Sequence, residues 1–267
     1  MSKTPAIHAI LFDMDDTLID WSQSDPDWEA RERAHLQRVF DYMEDAGHTL
    51  PVSVNHFCAE YRDQMMDAWE SARETYRAPN AETLLVSVLT HFGFDIDAAG
   101  LSSRELMEAY GWRGDDGVTV FPDVAEGLQA LLDADIKIGI VTNSGFPMWM
   151  REPELERFGL LKYFPDENLR ISAADVGYLK PDSRIFEVAL KAIGTKPQHT
   201  LYVGDNPTAD IIGSQRVGVR GILRMLPKHK KSLMNDMITP DARINTFDDL
   251  LSLLDDWDSY SYTAPDS

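Results

Sequence analysis

Ala9-Ile10-Leu11-Phe12-Asp13-Met14-Asp15-Asp16-Thr17 is an apolar run that stops at three carboxylates and a hydroxyl. The run, residues 7–12, is rich in β-branched and large apolar side chains without clear alternation, the pattern of a strand covered on both faces in a parallel sheet. Asp13 then sits at the carboxyl end of the strand, where open α/β sheets place their ligands. Asp13 and Asp15 stand two residues apart, and close carboxylates raise each other's pKa unless a cation or a hydrogen-bond donor compensates. That cost points to a metal. On these residues alone a second reading stays open, an Asp-rich turn in which Asp13, Asp15 and Asp16 face solvent or cap backbone N–H groups.

Further along, the chain repeats the same theme. From Pro122 the pattern alternates between strand and helix, which predicts a parallel sheet with crossover helices. Strands are expected at 136–141, 169–172, 200–203 and 219–223, with a short edge strand at 242–244. Helices are expected at 124–133, 155–160, 183–193 and 209–216, and a last helix follows Thr246. The strand at 136–141 ends in Thr142, Asn143 and Ser144, and the one at 200–203 breaks at Gly204-Asp205-Asn206-Pro207, with Asp210 just beyond. In a parallel sheet these ends share one edge with Asp13. Lys180, in the loop before the helix at 183–193, is placed to reach that edge. Carboxylates with a hydroxyl, an amide and a lysine form a hard oxygen set that suits Mg²⁺ beside a phosphate, not zinc or iron.

Between these halves lies a stretch of different character. Residues 18–28 read as an irregular loop or flap. Apolar stripes then recur at helical spacing through Leu36, Val39, Phe40 and Met43, through Val54, Phe57, Tyr61, Met65 and Trp69, and through Leu84, Leu85, Val88, Leu89 and Phe92. Ser102 and Glu105 form a capping-box signature ahead of Leu106 and Tyr110. The insert is of about ninety residues, the size of a small domain. The expected organisation is a core over 1–20 and 116–255, a helical unit over 21–115, and a flexible acidic tail over 256–267.

The 267 residues are 43% hydrophobic, enough for a sizeable core. Lys and Arg number 25 against 45 Asp and Glu, a net charge of −20 that argues against nucleic acid and anionic membranes as partners. The densest basic cluster, Lys228, His229, Lys230 and Lys231, is short and reads as a solvated loop. One cysteine, Cys58, excludes an intrachain disulfide and reads as a buried helix residue; with no membrane-length apolar run, a reducing, cytoplasmic setting is expected. His8, His35, His91 and His199 form no constellation.

Asp13-Met14-Asp15-Asp16-Thr17, Thr142-Asn143, Lys180-Pro181-Asp182, and Gly204-Asp205-Asn206 with Asp210 resemble, in order, the four motifs of the haloacid dehalogenase-like hydrolase superfamily. Residues 177–221 are especially similar to its phosphatase branch, and the helical insert resembles the cap that this superfamily places over its active site. The resemblance implies a Rossmann-like doubly wound parallel sheet with a small α-helical cap domain. It implies a Mg²⁺-dependent phosphatase for a small phosphorylated metabolite, with Asp13 as the nucleophile that becomes an aspartyl-phosphate. Asp15 would protonate the leaving alcohol and later activate water. Asp13, the backbone carbonyl of Asp15, and Asp205 would hold Mg²⁺; Asp210 is either a further ligand or a residue that positions Lys180 or a metal-bound water. Thr142 and the N–H of Asn143 would bind phosphoryl oxygens, and Lys180 would stabilise charge on nucleophile and phosphate.

For single residues plainer roles stay open: Thr142 as a helix cap, Lys180 as a surface lysine, Asp15 as a metal ligand or backbone cap. A haloacid dehalogenase has no need of Asp15, Asp205 or Asp210; a phosphomutase on the same core and a non-catalytic phosphate- or partner-binding member are further alternatives. A receiver-like domain would not carry the insert. The expected assembly is a monomer or homodimer. Arg62, Arg73, Tyr76, Arg77, Trp112 and Arg113 are the insert's candidates for contact with a leaving group, with no choice among them.

Overall fold

Strand β1 (Ala9–Phe12) is buried at every position, and its side chains divide between two cores: Ile10 and Phe12 on one face, Ala9 and Leu11 on the other. Two-sided burial is why the run lacks polar alternation. The structure, a computed structural model, describes residues 7–24, 26–226 and 238–255. The basic cluster at 228–231 and the tail at 256–267 lie outside the described residues.

Beyond β1 the chain forms β2 (Ile19–Asp20), which pairs antiparallel with β3 (Thr119–Val120). The chain thus leaves the sheet and returns to it along one two-stranded ribbon, where the sequence alone suggests an irregular loop. Between the two strands stand α1 (Trp28–Asp45), α2 (Val54–Thr75), α3 (Ala81–His91) and α4 (Ser103–Tyr110). Their stripes meet in one core through Leu36, Phe57, Tyr61, Leu85 and Leu106, with Cys58 buried among them. Ser53 caps α2, and the Ser102–Glu105 capping box forms on α4 as its spacing predicts.

The rest of the chain alternates α5 (Val124–Asp133), β4 (Lys137–Thr142), α6 (Met148–Arg157), β5 (Arg170–Ser172), α7 (Ala173–Val176), α8 (Ser183–Ile193), β6 (Thr200–Gly204), α9 (Gly213–Arg216), β7 (Arg220–Arg224), β8 (Ala242–Ile244) and α10 (Phe247–Asp255). Six strands form one sheet in the order β5-β4-β1-β6-β7-β8, every neighbouring pair parallel. Helices cover both faces: α5 and α10 pack on Ile10 and Phe12, and α8 packs on Ala9 and Leu11. This is the expected doubly wound α/β sheet.

Two helices differ from expectation. The helix expected at 155–160 begins at Met148 and carries Pro153 inside it. Pro147 stands just before the first turn, and Pro153 forfeits one intrahelical bond without ending the helix. The helix expected at 209–216 is a π-helical turn over Pro207–Ile212 followed by α9. From β1 the chain steps to β4 and β5 on one side, then crosses to β6 on the other, so the strand order reverses beside β1. Such a reversal opens a crevice at the carboxyl ends of the strands. Phe12 pairs in register with Ile140 and Val203, which brings Asp13, Thr142 and Asp205 to that edge. Among the described residues no helix is long and apolar enough to cross a membrane.

Candidate active site

Asp13 follows β1 directly, and its backbone N–H continues the ladder by donating to Val203 O at 2.9 Å. Its Oδ1 accepts from Lys180 Nζ at 2.7 Å. The same ammonium donates to Asp210 Oδ1 at 2.7 Å and to the Tyr202 hydroxyl at 2.8 Å, so its three protons are all used. Tyr202 in turn donates to Val141 O, which fixes it beneath the lysine. Burial pushes the Lys180 ammonium down in pKa, but Asp13 and Asp210 outweigh burial and hold it well above the usual lysine value. Lys180 is therefore a buried cation and not a surface lysine. Burial raises the Asp13 carboxyl to about 7 in spite of Lys180, and the charges of Asp210 and Asp15 add to the rise.

Asp210 is 1% exposed and both its oxygens are engaged, Oδ1 by Lys180 and Oδ2 by the N–H of Asn206 at 2.9 Å. Through Oδ1 it holds Lys180, one of its two expected roles, and it also stands in the carboxylate cluster described next. Gly204 is required here, since a Cβ at that position would lie 2.3 Å from Asp210 Oδ2. Asp13, Asp205 and Asp210 each offer a carboxylate oxygen, and these oxygens lie within 4.8 Å of one another. Such a set is all oxygen and all anionic, and three carboxylates meet there where Lys180 pairs with Asp13 and Asp210. A hard divalent cation fits this donor set.

Asp15 faces a different group. Its Oδ1 accepts from Arg151 Nη2 at 2.7 Å and from Trp21 Nε1 at 2.9 Å. Its Oδ2 accepts from Arg151 Nη1 at 3.2 Å and from the Thr142 hydroxyl at 3.3 Å. Burial pushes this carboxyl up, but Arg151 and the other donors override burial and hold it below the usual carboxylate range. Asp16 adopts a left-handed φ of 60°, and its Oδ1 accepts from the N–H of Trp21, so it shapes the turn.

Thr142 does not cap a helix, since α6 starts six residues on and the N–H of Met148 donates to Asp175. Asn143 uses its side chain in both directions: Nδ2 donates to Lys180 O at 3.0 Å and Oδ1 accepts from the Lys180 N–H at 2.7 Å. It ties β4 to the lysine loop. Of the insert's candidates, Arg62 pairs with Glu29 and Glu32, Arg77 lies over the Tyr178 ring, and Trp112 donates to Glu154 at 3.2 Å. The rings of His8 and His199 stack on each other, and His35 bonds the Tyr110 carbonyl.

Sequence reasoning misses Arg151, Glu154, Trp21 and Tyr202. Arg151 and Glu154 are three apart on α6 and would have stood out as a pair had the helix been extended back through Pro153. Tyr202 lies in a strand read as wholly apolar, and its hydroxyl gives no sign in the pattern.

Residues 7–218 match the family profile of haloacid dehalogenase-like hydrolases, and the chain belongs to that family. It is 28% identical over 254 residues to a glyceraldehyde 3-phosphate phosphatase of Methanopyrus kandleri, 93% of this chain and 97% of that one. It is 34% identical over 120 residues to a phosphoserine phosphatase of Thermus thermophilus, a match to 45% of this chain and 46% of that enzyme. Among solved structures, a 2-haloacid dehalogenase of Pseudomonas syringae pv. Tomato superposes with a TM-score of 0.64 at 28% identity, covering 94% of this chain and 99% of that one. A HAD phosphatase of Thermococcus onnurineus shares the fold, with a TM-score of 0.56 at 24% identity and coverage of 93% and 98%.

Proposed function

We propose that the protein is a Mg²⁺-dependent phosphatase that hydrolyses a small phosphorylated metabolite through an aspartyl-phosphate on Asp13. The observation that carries this reading is the carboxylate cluster of Asp13, Asp205 and Asp210, two of whose members pair with Lys180, with a second acid, Asp15, beside it. A haloacid dehalogenase, the activity for which several structural neighbours are named, would also attack through an aspartate but would need neither a second acid such as Asp15 nor a metal held by Asp205. The two phosphatase relatives are named for small phosphorylated metabolites, which agrees with the reading.

Asp13 attacks phosphorus, and the bond from phosphorus to the ester oxygen breaks. Asp15 gives its proton to the departing oxygen and then, as the anion, takes a proton from the water that cleaves the aspartyl-phosphate. In the free protein Asp15 is held as the anion, the form the second step needs; a phosphate dianion placed beside it favours its protonated form by like-charge repulsion. Thr142 and the N–H of Asn143 bind phosphoryl oxygens, and Lys180 balances charge on Asp13 and the phosphate. Asp13, Asp205 and the backbone carbonyl of Asp15 would hold Mg²⁺, with Asp210 behind them. When bound, the cation supplies the positive charge that lets a carboxylate approach a phosphate dianion.

Residues 21–115 act as the cap, hinged at the β2–β3 ribbon and closing over the strand ends to exclude water. Met150 of α6 packs into the core of the four helices, which gives the cap its seat on the sheet domain. The test is a panel of sugar, nucleotide and two-carbon phosphates assayed with Mg²⁺ and with EDTA, beside Asp13→Asn. Hydrolysis that needs both the cation and Asp13 is expected; hydrolysis retained by Asp13→Asn would remove the assigned nucleophile.

A further inference from the structure

The phosphatase reading assigns Asp15 two proton transfers, each of which needs its carboxyl group aimed at a particular oxygen. What aims it is not a motif residue. Arg151, on α6, sends Nη1 and Nη2 to the two oxygens of Asp15 at 3.2 and 2.7 Å, while its Nε donates to Glu154 Oε2 at 2.7 Å. Two parallel bonds from a planar guanidinium fix both the position and the plane of a carboxylate, which one ammonium cannot do. Glu154 is fully buried, and its Oε2 also accepts from the Trp112 indole, so the arginine is held from behind. Trp112 stacks on Trp21, the other indole that donates to Asp15.

We propose that Arg151 is a positioning residue for the reaction, holding Asp15 in register with the leaving-group oxygen in the first step and with water in the second. This rests on the phosphatase reading above. A direct contact between Arg151 and substrate is disfavoured by its surroundings: it is 3% exposed, and each of its three nitrogens already donates to a carboxylate. Four donors meet the two oxygens of Asp15, so the entering substrate must displace one. The Thr142 hydroxyl makes the longest of these contacts at 3.3 Å, and turning it onto a phosphoryl oxygen frees Asp15 Oδ2 while the arginine keeps the carboxylate in place.

The experiment compares two esters with Mg²⁺ present: an alkyl monophosphate, whose leaving oxygen needs a proton, and 4-nitrophenyl phosphate, whose leaving group departs as a stable anion. Arg151→Lys keeps the buried positive charge and loses the two-pronged hold. Its kcat/KM is expected to fall about 100-fold on the alkyl ester and less than about 5-fold on the aryl ester, the range that one positioned proton donor supplies. With the aryl ester it should also show a burst of nitrophenolate, because water activation by the same carboxylate becomes slow. Glu154→Gln, which loosens the arginine while keeping the local shape, should move the same ratio in the same direction by about 10-fold.

Equal losses on both esters would reduce Arg151 to a scaffold residue, and a loss seen wholly in KM would make it a substrate contact; either result overturns the proposal and leaves the phosphatase reading intact. Failure of the wild-type enzyme to hydrolyse either ester would overturn both.

Discussion

Lys180 Nζ stands 2.7 Å from Asp13 Oδ1, inside a protein where the lysine side chain is 2% exposed and the aspartate side chain 10%. Its second bond, to Asp210, makes it the shared cation of two buried carboxylates. Removing it leaves both uncompensated, and breaking a buried pair costs about 3–5 kcal/mol. Lys180→Met is therefore expected to lose stability in that range by urea denaturation in EDTA. Turnover should fall by about 100- to 1000-fold, as when a preorganised charge is taken from a transition state. Wild-type turnover in the variant would leave the lysine a purely structural role.

The raised pKa of Asp13 has a signed consequence for stability. An acid whose folded pKa is lifted from 3.8 to about 7 binds its proton more tightly when folded. The stability this contributes is present at pH below 3.8, declines as pH rises between the two values, and is gone above about 7. The metal-free protein is expected to lose melting temperature between pH 5 and pH 8, and the rise caused by Mg²⁺ should grow over the same window. Asp13→Asn has no proton to lose, so the part of the slope due to this group should vanish in thermal scans of that variant.

Asn143 offers a test that separates side chain from backbone. Both of its side-chain bonds go to the main chain of Lys180, not to the crevice. Asn143→Ala should cost about 1–3 kcal/mol, the net value of two buried hydrogen bonds. The N–H assigned to the phosphate remains, so kcat should suffer through the loosened Lys180 while KM changes little. A large rise in KM with kcat unchanged would instead make the side chain a phosphate contact.

The parts of this site that were legible in the sequence are those bound to strand ends. A two-sided apolar run such as 7–12 has few ways to fold, and its end fixes where Asp13 lies. Thr142 and Asp205 followed for the same reason. Lys180 was legible by residue type, but its bonds to Asp210 and Tyr202 were not, because they join residues 30 and 22 positions away. The ribbon of β2 and β3 was hidden because each strand has two residues, too few for any period to register. Arg151 was hidden because proline is the strongest local signal for a helix break, and here tertiary packing of Met148, Met150 and Leu155 overrides it.

Arg224 supports the loop of Asp13 and Asp15 from behind. On β7 it is 2% exposed, donates from Nη1 to Thr17 O at 2.8 Å, and holds Asp123 with Nη2 at 2.7 and 3.0 Å. Its guanidinium lies 4.5 Å from the Phe121 ring centroid and 5.2 Å from that of Phe247. One residue thus joins the loop that ends at Thr17, the start of α5 and α10, since the N–H of Phe247 also donates to Asp123. Arg224→Met removes the charge and all three bonds but keeps apolar bulk between the rings; about 3–5 kcal/mol of stability should be lost. Arg224→Lys keeps the charge and one bond, and should lose about 1–2 kcal/mol. Urea denaturation measures both. If the loop depends on this brace, kcat falls in the order of the stability losses when each variant is assayed well below its unfolding transition. Unchanged kcat in Arg224→Met under those conditions would show that the turn at Asp16 and the ladder bond of Asp13 hold the loop without it.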